Sequence, residues 1–304
     1  MNMITKGEFD VLVTIDQYKK ESGKITQRFL SGKLELSVGT INVIVTSLLN
    51  NKLIDKIDKK YKVTCSGYSE LEPYRVKKAI FIAAGFGSRL VPITLNTPKP
   101  LIMIHGKKII ETLLEAVIEA EINEIVIVRG YLKEQFDVLR NKYPQIKFID
   151  NPIYNESNNI SSVYFARHEL KNAYILESDL LLYNNKLIRK YEYSSNYLGI
   201  PVEKTDDWCF LLKKGKINEM KIGGTFCHQM VGISYWDLED AKKLSKDIEI
   251  IMEQPGGKEL YWDQVALDKK IKEYNISLRN CKKEDIIEID TFNELKQIDK
   301  VYDC

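Results

Sequence analysis

The sequence predicts an α/β sheet domain, residues 76–304, preceded by a small helical unit, residues 1–75. Three observations carry this. From Val76 onward, short apolar strands alternate with amphipathic helices, the order of a sheet built by right-handed crossovers. A length of 304 residues suits two domains better than one. Charge is unevenly divided: residues 1–78 hold 14 Lys and Arg against 9 Asp and Glu, whereas the whole chain is only +2, so the remainder is net acidic. The change of character falls near Glu70–Lys78, where a proline stands in a cluster of charges.

Hydrophobic residues make up 44% and charged residues 29%, a core-forming rather than disordered composition. The near-neutral balance argues against a chain built to coat nucleic acid. No apolar run reaches the roughly 18 residues of a membrane span. The opening MNMITKGEFD carries acids where a secretory signal would be apolar. Cys65, Cys209, Cys227, Cys281 and Cys304 are scattered without CxxC spacing, which fits a reducing cytoplasm and offers neither a zinc site nor a disulfide framework. The expectation is a cytoplasmic, globular chain with no membrane partner.

In the first unit, Phe9, Val11, Leu12, Ile15 and Tyr18 fall near helical spacing. Thr26–Lys33 reads as a short helix and Leu34–Leu36 as a turn. Ser37 then caps a helix from Val38 to Asn50, with Ile41, Ile44, Val45, Leu48 and Leu49 on its apolar face. Two short strands follow around Asp58–Lys60. This order resembles a winged helix-turn-helix domain. Such a domain presents the start of its second helix to the major groove. Of Val38, Gly39, Thr40, Asn42, Val43 and Thr46, only Asn42 is a strong base reader. Arg28, Lys33, Lys59, Lys60 and Lys62 suit phosphate contacts. DNA binding and homodimer formation are both open readings of this unit.

In the second unit, VKKAIFIAAG is an apolar run of a strand buried on both faces. Helices are predicted at Lys107–Glu121, Tyr131–Tyr143 and Ser161–Leu170, and strands at Glu124–Val128, Lys147–Ile149 and Ala173–Leu176. Ligands of such sheets sit beyond the carboxyl ends of the strands. That directs attention to Ala83–Lys99, Arg129–Tyr131 and Glu177–Asp179, and above all to the segment AAGFGSRLVPITLNTPKPLI, residues 83–102. Ala83, Ala84, Gly85 and Gly87 let a base and a triphosphate approach the main chain closely. Arg89 offers a planar donor for phosphate oxygens. Pro92 and Pro98 keep the loop from closing into a helix, and Lys99 follows on a stiff segment. Two cations on one constrained loop suit a polyphosphate and its transfer. A dinucleotide-binding fingerprint would need a third glycine where Arg89 stands, and a Walker A loop would need Gly-Lys-Ser/Thr.

The string GFGSRLVPITLNTPKPL resembles the signature of the sugar-phosphate and choline-phosphate nucleotidylyltransferases. The resemblance covers residues 76–295. It implies a mixed, mostly parallel sheet and the Mg²⁺-dependent transfer of a nucleotidyl group to a phosphate monoester, releasing pyrophosphate. An Asp at the end of a buried strand is costly unless it meets a cation, and Asp179 in AYILESDLLL stands there. By resemblance it is the metal-holding aspartate. Glu288 and Asp290, two apart in EIDTF, share one face of a strand. Convergent carboxylates without His or Cys favour Mg²⁺.

Trp208, Trp236 and Trp262, with Tyr261 and Asp263, suit a quaternary ammonium through cation–π attraction, although each tryptophan taken singly is better explained as core. GYLKEQFDVL, YNESNNISSVYFAR, ESDL, GISYWD, ELYWDQ and EIDTFNEL resemble the CTP:phosphocholine cytidylyltransferases within that family. This implies CTP and phosphocholine as substrates, with the base near Gly130 and Asn159, the triphosphate on Arg89 and Lys99, and the metal between Asp179, Glu288 and Asp290. Arg129 departs from the pattern, a charge where a neutral residue is expected. A sugar 1-phosphate or an aminoalkyl phosphonate as acceptor, and a nucleotide-sensing transcription regulator, are the competing readings.

Overall fold

A computed structural model describes residues 4–20, 25–58 and 60–303. Met1–Met3 of the opening segment, Lys59 and Cys304 lie outside the described residues. The chain divides into two units. One comprises residues 1–75 together with Arg189–Tyr193, and the other Val76–Ile188 with Ser194–Cys304.

The first unit opens with α1 (Lys6–Gln17), capped by Thr5 and Glu8 in a reciprocal box. Thr26 caps α2 (Gln27–Leu34), and Ser37 caps α3 (Val38–Asn50) as the sequence predicts. Glu35 takes a left-handed conformation between them, and the two helices bend by 116°. The antiparallel strands β1 (Ile54–Ile57) and β2 (Lys60–Val63) follow, then α4 (Cys65–Leu71). Phe9, Leu12, Ile15, Leu30, Ile41, Val45 and Leu48 form the core. Residues 189–193 complete it: the Tyr193 ring stacks on Tyr74 at 5.2 Å and tilts against Phe9 at 5.3 Å.

In the second unit, β3 (Lys78–Ala83) is the apolar run ending in small residues. A hairpin of β4 (Met103–Ile104) and β5 (Lys107–Lys108) precedes α5 (Ile109–Glu119). The predicted helix at Lys107–Glu121 therefore starts late, because Lys107 and Lys108 pair with Ile104 and Met103 across a turn at Gly106, whose φ is +79°. β6 (Glu124–Arg129) follows. The helix expected at Tyr131–Tyr143 is a 3₁₀ segment, Lys133–Asn141. Its turns close over three residues, as in Gln135 N–H to the Leu132 carbonyl at 3.0 Å and Lys142 N–H to the Leu139 carbonyl at 3.2 Å.

Then come β7 (Ile146–Asp150), α6 (Ile160–Ala166), β8 (Ala173–Glu177), β9 (Leu180–Leu182) and the long pair β10 (Asn196–Lys213) and β11 (Lys216–Trp236). α7 (Leu238–Met252), α8 (Trp262–Gln264), β12 (Ser277–Asn280), β13 (Ile286–Glu288) and α9 (Phe292–Ile298) complete the chain. The helix predicted at Ser161–Leu170 ends early, at Ala166, and a 3₁₀ turn, Arg167–Glu169, carries on. The sheet order is β10-β12-β11-β8-β3-β6-β7. β8, β3, β6 and β7 run parallel and β11 runs against β8, so the sheet is mixed and mostly parallel. One core packs on each face. Among the described residues, no single helix is long and apolar enough to cross a membrane.

Candidate active site

A cleft of about 420 Å³ opens at the carboxyl ends of β3 and β8. Ala83, Gly85, Gly87, Arg89 and Lys99 line one side of it. The loop is stiff for identifiable reasons. Thr94 Oγ1 donates to the Gly87 carbonyl at 2.9 Å, and Tyr131 Oη donates to the Thr94 carbonyl at 2.9 Å. Gly87 has φ +63°, and a Cβ there would stand 2.9 Å from the Lys99 Cβ, so only glycine fits between the loop's two arms. Short 3₁₀ turns carry the rest, including Lys99–Leu101. Ala84 is turned away from the cleft, its carbonyl accepting from the Tyr131 N–H at 3.1 Å.

Opposite stand the carboxylates. β9 and β13 pair antiparallel with Glu288 beside Leu180, and the Ile289 N–H donates to the Asp179 carbonyl at 3.2 Å. That ladder brings Glu288 to Asp179. Glu177, at the end of β8, joins them: oxygens of Glu177, Asp179 and Glu288 all lie within 4.8 Å of one another. Asp290 lies beyond the strand predicted to carry it and meets the cations instead. Lys99 Nζ is 2.7 Å from Asp179 Oδ2 and 3.1 Å from Asp290 Oδ1, and Arg89 Nη2 is 2.9 Å from Asp290 Oδ1.

Electrostatics follow from this crowding. Burial, then the charges of Asp179 and Asp290, push the Glu288 carboxyl up to about 8. Burial, then Asp179 and Glu288, hold Glu177 well above the usual carboxylate range. Burial works against the Lys99 ammonium, but Asp179 and Asp290 outweigh it and keep its pKa above the ordinary lysine value. Asp179 Oδ1 is buried with no hydrogen-bond partner. Three mutually repelling carboxylates and one orphaned oxygen are a donor set for a hard divalent cation, and the residues fit Mg²⁺.

Also lining the cleft, the Trp208 and Tyr261 rings meet edge to face at 6.1 Å and 70°. Asp207 and Asp263 stand with them. Asp263 is buried, which pushes its carboxyl up to about 6 although Tyr197 Oη donates to it at 3.3 Å. Trp236 and Trp262, expected beside the ligand, are core residues and do not line the cleft. Trp236 is fully buried, donates its indole N–H to Ser234 Oγ at 2.9 Å, and packs edge-on against Trp262 at 5.9 Å. Trp262 stacks on Tyr197. Its backbone N–H reaches Asn159 Oδ1 at 2.9 Å, and the same Asn159 donates to Glu177 Oε1 at 3.4 Å. Asn159 therefore lines the cleft but braces Glu177 and α8. Gly130 is not an open floor for a base: a Cβ there would stand 2.6 Å from the Tyr154 ring and 2.9 Å from the Ala84 carbonyl. Arg129 points elsewhere, donating to Asp150 and Asp137 at 2.8 Å each and covering Phe148 at 4.2 Å.

A family model described as nucleotidyl transferase matches residues 78–195. The chain is 37% identical to the 2-aminoethylphosphonate cytidylyltransferase of Lancefieldella rimae, over 74% of this chain and 92% of that one. This chain belongs to the nucleotidyl transferase family. It is also 33% identical to the choline-phosphate cytidylyltransferase of Streptococcus pneumoniae, over 74% of this chain and 97% of that protein. The solved structure of the CTP:phosphocholine cytidylyltransferase from Streptococcus pneumoniae superposes with a TM-score of 0.69, covering 75% of this chain and 99% of that one.

In this nucleotidyltransferase the sequence directs attention to Glu177–Asp179 without naming Glu177 as a ligand, and the structure adds it to the carboxylate cluster. Its signal was available: Glu177 and Asp179 are two apart, the spacing that singled out Glu288 and Asp290. Asp207 was passed over, although it precedes Trp208 directly.

Proposed function

We propose that this nucleotidyltransferase transfers CMP from CTP to phosphocholine, giving CDP-choline and pyrophosphate. The observation that carries the acceptor is the Trp208–Tyr261 corner, which lines the cleft together with Asp207 and Asp263. Two ring faces and two acids suit a trimethylammonium head, each cation–π contact contributing about 0.5–2 kcal/mol. Arg89 and Lys99 neutralise the triphosphate, and Ala83, Gly85 and Gly87 let it lie close to the backbone. Asp179, Asp290, Glu288 and Glu177 would hold Mg²⁺, which supplies charge neutralisation at the reacting phosphate. A phosphate oxygen of the acceptor is already ionised near neutral pH. It forms the new P–O bond to the α-phosphorus of CTP as the bond to pyrophosphate breaks, and no side-chain base is required.

A second reading, 2-aminoethylphosphonate as acceptor, is favoured by the 37% identical relative and by two acids outside the metal set (Asp207 and Asp263) lining the cleft beside two aromatic rings. Pyrophosphate release with CTP and each acceptor separates the two. A phosphocholine kcat/KM at least about tenfold higher is expected, a difference of about 1.4 kcal/mol; the reverse order transfers the assignment to the aminophosphonate.

For the first unit we propose a winged helix-turn-helix that contacts duplex DNA. The 116° bend between α2 and α3, and the exposed Thr40, Asn42 and Thr46 on α3, support it. Exposed Arg28, Lys33 and Lys62 suit phosphates. Gel-shift titration on the DNA flanking its own gene, repeated across salt concentrations, tests this. A doubling of protein mass without any shift assigns the unit to dimerisation instead. The free thiols of Cys65, Cys209, Cys227 and Cys281 suit a reducing compartment such as the cytoplasm.

A further inference from the structure

Lys99 occupies a position that two ligands would contest. Its ammonium bridges Asp179 and Asp290 at 2.7 and 3.1 Å, and these are two of the carboxylates that would hold the divalent cation. Its stem is buried against Gly87 on a 3₁₀ turn begun by Pro98, so it cannot swing freely into solvent. Arg89 differs: it reaches Asp290 alone and its side chain is 68% exposed. An ammonium on Asp179 Oδ2 and a divalent cation on the unpartnered Asp179 Oδ1 would share one carboxylate, and like charges at that range repel strongly in a poorly solvated cleft.

We propose that Lys99 is a tethered counter-ion of the metal site. It closes Asp179 and Asp290 against a free divalent cation, and an incoming triphosphate draws it away, so that nucleotide binding opens the site. The inference rests on the nucleotidyl-transfer reading of this cleft. It makes nucleotide and metal cooperative through one side chain, and by linkage each ligand raises the affinity of the other by the same factor. While the ammonium is in place, the apparent metal affinity falls by the fraction of molecules in which the carboxylates are free.

The test is Mn²⁺ titration of the full-length protein without nucleotide, followed by electron paramagnetic resonance of free Mn²⁺. Lys99→Met is expected to bind Mn²⁺ about tenfold more tightly than wild type, whereas Arg89→Gln changes the affinity by less than about threefold. Lys99→Gln is carried alongside, with thermal unfolding, so that a misfolded variant does not decide the matter. If the Lys99 variants bind no more tightly than wild type, or Arg89→Gln matches them, the tethered counter-ion is overturned. In that case Asp179→Asn abolishing Mn²⁺ binding leaves the metal reading standing. Absence of Mn²⁺ binding in wild type and in the Lys99 variants overturns both.

Discussion

A Cβ on Gly232 would stand 2.6 Å from Oε2 of Glu177 and 2.8 Å from its Cβ, so the bare backbone of β11 provides the room that the buried acid of β8 occupies. The collision involves the root of the Glu177 side chain as well as its tip, and a rotamer change alone does not relieve it. Gly232→Ala is expected to displace Glu177 and lower kcat by roughly tenfold or more, because a misplaced charged group near the reacting atoms is costly. Pyrophosphate release by the purified variant checks this; near-normal turnover would place Glu177 outside the machinery.

Asp179 anchors the carboxylate group and Lys99 together. Asp179→Ala is expected to lower kcat by at least about 10²-fold, the scale of losing a metal or oxyanion contact. Circular dichroism should show the fold retained, since the side chain lies at a strand end beside the cleft. Activity close to wild type contradicts the assignment.

Trp208 and Trp236 should behave oppositely. Trp208→Ala removes one ring of the acceptor corner and should raise the phosphocholine KM roughly tenfold while leaving the CTP KM within about twofold. Trp236→Ala empties a fully buried core position and should cost about 3–5 kcal/mol of stability. Initial-rate kinetics for the first and thermal unfolding for the second separate the roles.

The carboxylate crowding predicts a pH dependence. The folded Glu288 carboxyl titrates at about 8 against an ordinary 4.5, its burial and the charges of Asp179 and Asp290 favouring the protonated form. An acid whose folded pKa is raised stabilises the fold below its unfolded pKa, and that contribution is lost as pH rises through the folded value. Metal-free protein should therefore lose stability between about pH 5 and pH 8, each lost kcal/mol lowering Tm by roughly 2–4 °C. Glu288→Gln should flatten the slope, and Mg²⁺ should tighten as pH rises because it displaces protons. A metal-free Tm that is flat or rising across that range disproves the crowding.

Arg129 is expected to matter for stability rather than substrate. Arg129→Ala gives up two ion pairs, the Lys133 carbonyl and cover over Phe148, and should cost about 1–3 kcal/mol. The KM for CTP should stay within about twofold, by initial-rate titration. A large rise in that KM would give Arg129 a part in nucleotide binding instead.

What could be read from the sequence was local. Ser37 followed by an apolar stripe marks α3 to the residue, because a cap and its helix are neighbours in the chain. The loop at residues 83–102 was legible as part of the cleft for the same reason: its glycines, prolines and cations lie close together in the chain. The 3₁₀ segment at Lys133–Asn141 was not, since its apolar spacing reads equally well as an α-helix. Nor could composition separate Trp208 from Trp236. Both sit beside an aspartate in the sequence, and only the pairing of β10 with β11 and the packing of α7 and α8 turn one to the cleft and the other inward.

The five residues Arg189–Tyr193 interrupt the catalytic unit yet belong to the core of the other one. A single cut at residue 75 cannot release either part whole. The amino-terminal fragment would lack Tyr191 and Tyr193, taking from the Phe9–Tyr74 pair the Tyr193 ring that packs on both, and the carboxyl-terminal fragment would carry two orphaned tyrosines into water. Expression of the halves separately should yield poorly behaved material unless that pentapeptide is grafted onto the first fragment and replaced by a polar linker in the second.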